Sequence, residues 1–264
     1  MPSTLLPQPG GTPTSRCALR ARGAIAWALG MASLLTCSTS LADPSYYLVT
    51  VYDNEGETNL SFRYWTVESK HRRQIVWPEV GVGYGVTSRW YTEVFASAIG
   101  SDFWQTKAEA LHWQNDYLLT QGQYPFDLAL HSKLMFNHDA ADGTMLQWGP
   151  VLQTEVGRLQ LNGNVFFERT VRAASAVPSD MKYQWQAKYH WRPGLQVGLQ
   201  GFGELGPWDQ WLPAARQSHR VGPVLTGSLS LGHKESLRYS VAYLVGKSYG
   251  QQGQMLSVRL QYAF

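Results

Sequence analysis

The chain ends with an alternating stretch, Met255-Leu256-Ser257-Val258-Arg259-Leu260-Gln261-Tyr262-Ala263-Phe264. Every second position from Leu256 to Phe264 is apolar, whereas the positions between them hold serine, arginine, glutamine and alanine. Successive side chains of a β-strand point to opposite faces, so a period of two places all the apolar residues on one face. The stretch therefore predicts a β-strand with one apolar face and one polar face.

The same alternation recurs along the chain after residue 42, in segments of about ten residues separated by turn residues. We expect strands at 58–67, 74–86, 89–98, 107–119, 126–136, 145–156, 159–170, 182–192, 195–204, 220–231, 237–246 and 254–264. Lipid offers no hydrogen-bond partner to an open sheet edge, so strands that cross a membrane must close into a barrel. The pattern predicts an all-β fold, a transmembrane antiparallel up-and-down β-barrel of about twelve strands, with ten or fourteen as alternatives.

The first 42 residues have the organisation of a signal peptide. Arg16, Arg20 and Arg22 form a basic region, residues 23–35 are apolar, and Ser40-Leu41-Ala42 fits a cleavage site. We therefore expect a signal peptide at 1–42 and a barrel domain at 43–264. Residues 43–56 could form a periplasmic lead-in, a plug strand or part of the first strand.

Removing this segment changes the composition of the exported chain. Cys17 and Cys37 both lie within it, so the barrel domain has no cysteine and uses no disulfide. Three of the 22 basic residues lie there as well, which leaves 19 basic residues against 19 acidic ones. A balanced charge gives no support for a nucleic-acid partner.

Connection lengths give an independent test of the barrel. A barrel with both termini in the periplasm alternates short turns with longer outer loops. The even-numbered joins are all short, and the odd-numbered joins include the two longest, Val171–Met181 and Leu205–His219. We expect this alternation at every join. Trp208 and Trp211, in the longest join, are expected to rest at the headgroup layer, fold into the lumen or contact a ligand.

The polar face of each strand is expected to point into the lumen. The predicted lumen-lining residues are Arg63, Glu79, Glu93, His112, Asp116, Lys133, Glu155, Glu168, Lys188, His190, Arg238 and Arg259. Both signs of charge are well represented, which argues against a strongly ion-selective pore. These side chains either pair with one another and fill the barrel, or they line a narrow aqueous path. Inward glycines such as Gly81 and Gly83 would leave room for such a path.

No catalytic, cofactor or metal site is predicted. The side chains of the adjacent pair His131-Ser132 would point to opposite faces of a strand, so this pair is not expected to form a catalytic dyad. His138, Asp139 and Asp142 could bind a cation but are also typical of a polar turn. The histidines lack metal-ligand spacing.

The terminal strand resembles that of bacterial outer-membrane β-barrel proteins, which ends on an aromatic residue. This resemblance implies a location in the bacterial outer membrane, surrounded by lipid and lipopolysaccharide. It also implies that the outer-membrane assembly machinery recognises Tyr262 and Phe264. The stretch from Val82 to Glu93, together with Trp113-Gln114-Asn115, is similar to hairpins in outer-membrane transporters of the phenol-degradation meta-pathway type. That resemblance implies passive transport of small organic compounds and carries over no binding residues.

The sequence therefore favours a narrow passive channel for small solutes, without enzymatic activity. One alternative is a closed structural or adhesive barrel that works through its outer loops. Another is an outer-leaflet lipid hydrolase with a catalytic site built from distant strands.

Overall fold

The computed structural model describes residues 46–51, 55–69, 72–172, 178–232, 234–248 and 251–264. The predicted signal peptide, residues 1–42, lies outside these ranges and stays a prediction.

Twelve antiparallel strands form a closed barrel, in which each strand pairs with the next and β1 pairs with β12. The strands are β1 (Thr58–Ser69), β2 (Arg72–Gly85), β3 (Trp90–Gly100), β4 (Thr106–Leu118), β5 (Phe126–Asn137), β6 (Thr144–Val156), β7 (Leu159–Val171), β8 (Asp180–Arg192), β9 (Leu195–Pro207), β10 (Ser218–Ser230), β11 (Ser236–Ser248) and β12 (Gln251–Ala263). In the described ranges the helical elements are two 3₁₀ turns, Phe103–Gln105 and Ala140–Asp142, and no helix has the length and apolarity to cross a membrane. The predicted fold class and strand number are confirmed.

Several strands run further than the apolar alternation does. Strands β11 and β12 remain paired up to Ser248 and Gln251, where the sequence is polar on both faces. As a result, residues 249–250 join these strands, and residues 70–71 join β1 to β2. The predicted alternation of short turns and longer loops is therefore wrong at these two joins, because backbone pairing continues where side-chain patterning has stopped.

The outer face of the barrel is apolar between two aromatic rims. We call the end where β1 begins and β12 ends the terminal end, and the other the distal end. Exposed aromatic side chains at the terminal end are Tyr84, Trp90, Tyr117, Phe126, Tyr189, Trp191 and Phe264; those at the distal end are Phe103, Trp104, Phe136, Trp208 and Trp211. Such rims are typical of membrane barrels, in which aromatic rings lie at the two headgroup layers.

The inner face is not uniformly polar. Trp65 and Trp77 are buried and stack with ring centroids 4.6 Å apart. They pack with Phe202, Leu244 and Met255 in an apolar cluster inside the barrel. Trp65 and Trp77 share the inward-pointing face of their strands with Arg63 and Glu79, so aromatic side chains lie on both faces of the barrel wall.

Residues 46–51 lie inside the barrel and form what we call the strap. Tyr46, Tyr47, Leu48 and Val49 are all buried there. Tyr46 packs in the apolar cluster of Trp65 and Phe202, whereas Tyr47 and Val49 pack against β4, β5, β6 and β7 through a second cluster, Leu118, Ala129, Val151 and Phe166. Of the three alternatives for residues 43–56, the structure supports a plug, although the strap belongs to no strand of the barrel sheet.

Candidate functional site

The barrel wall holds the strap through side chains. Asn164 of β7 donates to the Val49 carbonyl (2.8 Å), and Ser257 of β12 donates to the Tyr46 carbonyl (2.8 Å). Gln184 of β8 donates to the Tyr47 carbonyl (3.2 Å) and accepts from the Val49 amide (3.1 Å). These bonds satisfy the polar backbone groups of a buried segment that has no strand ladder.

Tyr47 is fixed by a buried arginine. The Arg63 guanidinium lies between the rings of Tyr47 (3.7 Å to the centroid) and Phe95 (3.6 Å). Its nitrogens are 3.0 Å from a carboxylate oxygen of Glu93 and 3.7 Å from one of Glu79. A cation over an aromatic face is attractive, and burial from water strengthens that attraction. Arg63 therefore pairs with two wall carboxylates and binds the strap at the same time.

Tyr46 has a similar environment on another part of the wall. The Arg220 guanidinium lies 4.1 Å from the centre of the Tyr46 ring. Arg220 also lies 3.6 Å from Glu204, whose carboxylate accepts a hydrogen bond from the Tyr46 hydroxyl at 3.3 Å. Both strap tyrosines thus rest on arginines that are ion-paired with carboxylates of the barrel wall.

A chain of polar side chains crosses five neighbouring strands, β4 to β8. Nδ1 of His131 lies 2.6 Å from a carboxylate oxygen of Asp116, and Nε2 of His131 lies 3.3 Å from the side-chain amide oxygen of Gln147. The Gln147 amide donates to Glu168 (3.2 Å), which also accepts from Lys182 (2.7 Å). Asp116 and Gln147 thus hold the two ring nitrogens of His131, and Lys182 faces the Glu168 carboxylate.

The paired zone is our name for these three groups of polar and charged side chains, which are centred on Arg63, Arg220 and His131. Their members are side chains on the inner wall, nearly all of them buried. Removing charges from water is costly unless each charge meets an opposite one in good geometry. Together with the strap, the paired zone packs buried side chains across the middle of the barrel.

A cavity of about 600 Å³ lies between the strap and the terminal end, and we call it the basic chamber. Its basic lining residues are Arg158, Lys188, His190, Arg192, Arg238 and Arg259, and no aspartate or glutamate is among the described lining residues. Six glutamine side chains also line it: Gln153, Gln160, Gln186, Gln196, Gln200 and Gln261. Three of the lining residues are also exposed to solvent: Arg192, Pro193 and Gly194. Solvent therefore reaches the chamber at the terminal end.

Three carboxylates lie near the chamber without lining it. Glu57 is paired with Arg238 at 3.0 Å. Glu155 is exposed and sits opposite Gln160 in the β6–β7 ladder. Asp127 sits opposite Gln153 in the β5–β6 ladder. The chamber is therefore a region of positive potential with polar, uncharged side chains between its cations.

The predicted lumen residues divide between these regions. Arg63, Glu79, Glu93, Asp116 and Glu168 belong to the paired zone, and His112 and Lys133 are also buried within the barrel. Lys188, His190, Arg238 and Arg259 line the basic chamber, whereas Glu155 lies at its edge. That they line the path of a solute stays a prediction.

Sequence reasoning missed the strap tyrosines and the pair Arg220–Glu204. The sequence signal was present in part, because Arg220 and Glu204 occupy inward positions by strand parity. The strap had no such signal, since Tyr46-Tyr47-Leu48-Val49 is a continuous apolar run that also fits a strand.

Inward glycines do not leave an aqueous path at the level of Arg63. A Cβ atom on Gly81 would collide with the ring of Phe95, and one on Gly83 would collide with the hydroxyl of Tyr91. These glycines make room for aromatic rings of the neighbouring strand. The expectation that missing side chains widen the lumen is wrong at these two positions.

The structure brings together one Ser–His pair that the sequence did not indicate. Ser97 Oγ lies 2.9 Å from Nε2 of His112, and Ser97 also donates to the Ala110 carbonyl at 3.2 Å. Ser97 and His112 are both buried. Nε2 of His112 either accepts from the Ser97 hydroxyl or donates to it, according to the histidine tautomer.

The polar loop considered for cation binding is a turn. The Asp139 carboxylate accepts from the amide of Ala141 at 2.9 Å and caps the short 3₁₀ turn Ala140–Asp142. Across the described residues, no group of three or more histidine, cysteine, aspartate or glutamate side chains could hold a metal ion.

The sequence matches no protein-family model and no curated protein. Solved structures do resemble the barrel. The NanC porin superposes with a TM-score of 0.55 at 11% identity, covering 78% of this chain and 98% of that one. The KdgM porin gives 0.52 at 8% identity, covering 78% and 99%. An outer-membrane channel from Pseudomonas putida F1 gives 0.55 at 11% identity, covering 84% and 98%. At such low identity the similarity shows the fold alone, a closed barrel of the kind found in bacterial outer-membrane channels.

Proposed function

We propose that the protein is a passive outer-membrane channel for small solutes, described here in a closed state. One observation carries this proposal: a lipid-facing barrel encloses a charged, polar interior that widens into a solvent-accessible chamber. A barrel with only a structural role has no need of such a chamber, and barrels of intermediate size are wide enough for a narrow path. The barrels that it resembles in fold are described as porins and channels.

The proposed orientation follows from the barrel's two ends. In outer-membrane barrels the longer loops face outward, and the two longest joins here, residues 172–179 and 208–217, are at the distal end. The basic chamber would then open to the periplasm. The same proposal includes three further steps. The predicted signal peptide exports the chain, the assembly machinery recognises Tyr262 and Phe264 and inserts the barrel, and the inserted barrel contacts lipopolysaccharide.

The strap is the closing element in this proposal. It contacts β1 and β12 on one side of the lumen and β7 and β8 on the other, so no solute passes while it stays in place. The strap is held by side chains and shares no ladder with the wall. It can therefore move without breaking the barrel's backbone hydrogen bonds.

Planar-bilayer conductance of the refolded barrel domain tests the proposal. The wild type is compared with a variant in which residues 46–51 are replaced by a glycine–serine segment of equal length. We expect rare or small openings from the wild type and steady conductance from the variant. Heat-dependent gel migration establishes that both barrels are closed and folded. A folded variant that remains silent to ions and to neutral solutes in liposome swelling would rule out a channel.

We propose no enzymatic role. The Ser97–His112 pair is buried in the barrel wall, and Ser97 also bonds to the backbone carbonyl of Ala110. Lipid hydrolysis by the refolded protein, lost in Ser97→Ala and retained in Ser132→Ala, would overturn this part of the proposal. An adhesive barrel remains the alternative if the strap-replaced variant does not conduct.

A further inference from the structure

We propose that the basic chamber is a binding site for small organic anions, specifically a carboxylate that carries hydroxyl groups. The proposal deepens the channel function by naming a solute class, and it rests on that function only for the route by which the solute arrives. Three properties of the chamber support it: a half-buried cation without a counterion, a histidine donor without an acceptor, and a lining rich in amides.

The first property concerns Lys188. It lies on the same inward face of β8 as Lys182, but only Lys182 has a carboxylate at hydrogen-bond distance. Among the described residues, Lys188 has no carboxylate within ion-pair distance, although it is half-buried in the chamber wall. The exposed Glu155 is near enough to interact with it only at longer range. A partly buried ammonium group is stabilised when an anion binds beside it.

The second property concerns the neighbouring His190. Thr226 donates to the Gln196 carbonyl oxygen at 3.0 Å, which fixes the orientation of that side-chain amide. The Gln196 nitrogen then faces Nδ1 of His190 at 3.2 Å, so Nδ1 is the acceptor and Nε2 carries the proton. Nε2 of His190 is buried and has no hydrogen-bond partner among the described residues. This nitrogen has no accessible surface in the present geometry, so a carboxylate oxygen in the chamber would bond to it only after the ring of His190 turns towards the cavity.

The third property is the shape and composition of the chamber. Lys188 and His190 project from β8, and Arg259 projects from β12. Between them lie glutamine amides such as Gln160 and Gln186, which can both donate to and accept from hydroxyl groups. A cavity of about 600 Å³ is within the usual range for small-molecule sites, roughly 300–1,000 Å³. The lining combines these polar groups with apolar side chains such as Leu48 and Val51, so it suits an anion that has both a charged end and a carbon skeleton.

Calorimetric titration of the full barrel domain in detergent tests the site directly. D-gluconate is the probe, and glucitol is its uncharged counterpart. We expect measurable binding of gluconate and none of glucitol. Lys188→Gln and Arg259→Gln should each weaken gluconate binding by about tenfold, the effect of losing one charge-assisted hydrogen bond.

Matched controls separate the site from general charge. Lys234→Gln removes a lysine from an exposed turn at the terminal end, and Arg169→Gln removes an exposed arginine near the distal end. Neither residue lines the chamber, and we expect both variants to bind gluconate like the wild type. His190→Phe, which keeps a ring but removes the donor, should weaken binding without a change in heat-dependent gel migration.

The outcomes distinguish this inference from the channel proposal. Gluconate binding by a barrel that never conducts would support the site and overturn the channel. Steady conductance of the strap-replaced barrel with equal binding of gluconate and glucitol, or with neither bound, would overturn the site and leave the channel. Equal weakening in the control variants would show attraction by overall charge and would also overturn the site.

Discussion

The paired zone and the basic chamber use the same types of charged side chain in opposite ways. In the paired zone, Arg63 and Lys182 each meet a carboxylate within 3.0 Å, and both are buried. In the chamber, Lys188 and Arg192 are accessible to solvent and have no carboxylate at that distance among the described residues. Where water is excluded, the fold must supply each counter-charge; where water enters, the cations are available to a ligand.

Arg63→Met should have the largest effect on stability, because it leaves Glu79 and Glu93 buried without their shared cation. We expect the free energy of unfolding to fall by about 3–5 kcal/mol, the usual result of breaking a buried ion pair. Arg192→Met, at the exposed mouth of the chamber, should change it by less than about 1 kcal/mol. Equilibrium denaturation in micelles measures both, and equal losses would contradict the contrast between the two regions.

Two lysines on one strand give a closer comparison. Lys182→Met breaks the buried pair with Glu168, and we expect a loss of about 3 kcal/mol in the free energy of unfolding. Lys188→Met, six positions further along β8 on the same face, should be neutral or slightly stabilising, because no partner is left unpaired. Denaturation under the same conditions would contradict this expectation if Lys188→Met cost as much as Lys182→Met.

Much of this contrast was hidden from sequence reasoning. Alternation predicted the twelve strands and the inward direction of Arg63, Lys188 and Arg259, because side-chain direction depends only on strand parity. It did not predict which charges meet. Pairing across the lumen depends on the stagger of neighbouring strands, which parity does not determine. Counting both signs of charge together therefore argued against charge selectivity. The structure instead separates a paired zone, which holds charges of both signs, from a basic chamber.

The contacts of the strap were not predicted for a different reason, although a plug was one of the three alternatives for this part of the chain. The alternation of the strands predicts a polar lumen, so it offers no apolar surface against which a short apolar run before β1 could pack. In the structure, apolar surface is nevertheless buried inside the lumen by Tyr46, Tyr47 and Val49. Its partners are Arg63, Arg220 and inward aromatic rings. Recognising them required knowledge of which side chains share one level of the barrel.

Tyr47→Ala tests how strongly the paired zone holds the strap. The change removes the ring that covers Arg63, together with its apolar contacts, at a cost of about 2 kcal/mol to strap docking. We expect the open probability in planar bilayers to rise by at least about tenfold, with the fold of the barrel unchanged. Tyr124→Ala, at an exposed turn, is the control. Unaltered gating in Tyr47→Ala would show that the strap is held elsewhere.

Glu57→Gln tests the boundary of the chamber and should have the smallest effect on stability. Glu57 and Arg238 form a partly exposed pair at 3.0 Å, and such pairs contribute less than about 1 kcal/mol. The substitution removes a carboxylate that competes with a bound anion for Arg238. We therefore expect gluconate to bind about two- to fivefold more tightly, while the denaturation midpoint barely moves. Weaker binding would mean that Glu57 positions Arg238 for the ligand, so that the chamber, like the paired zone, depends on a built-in carboxylate.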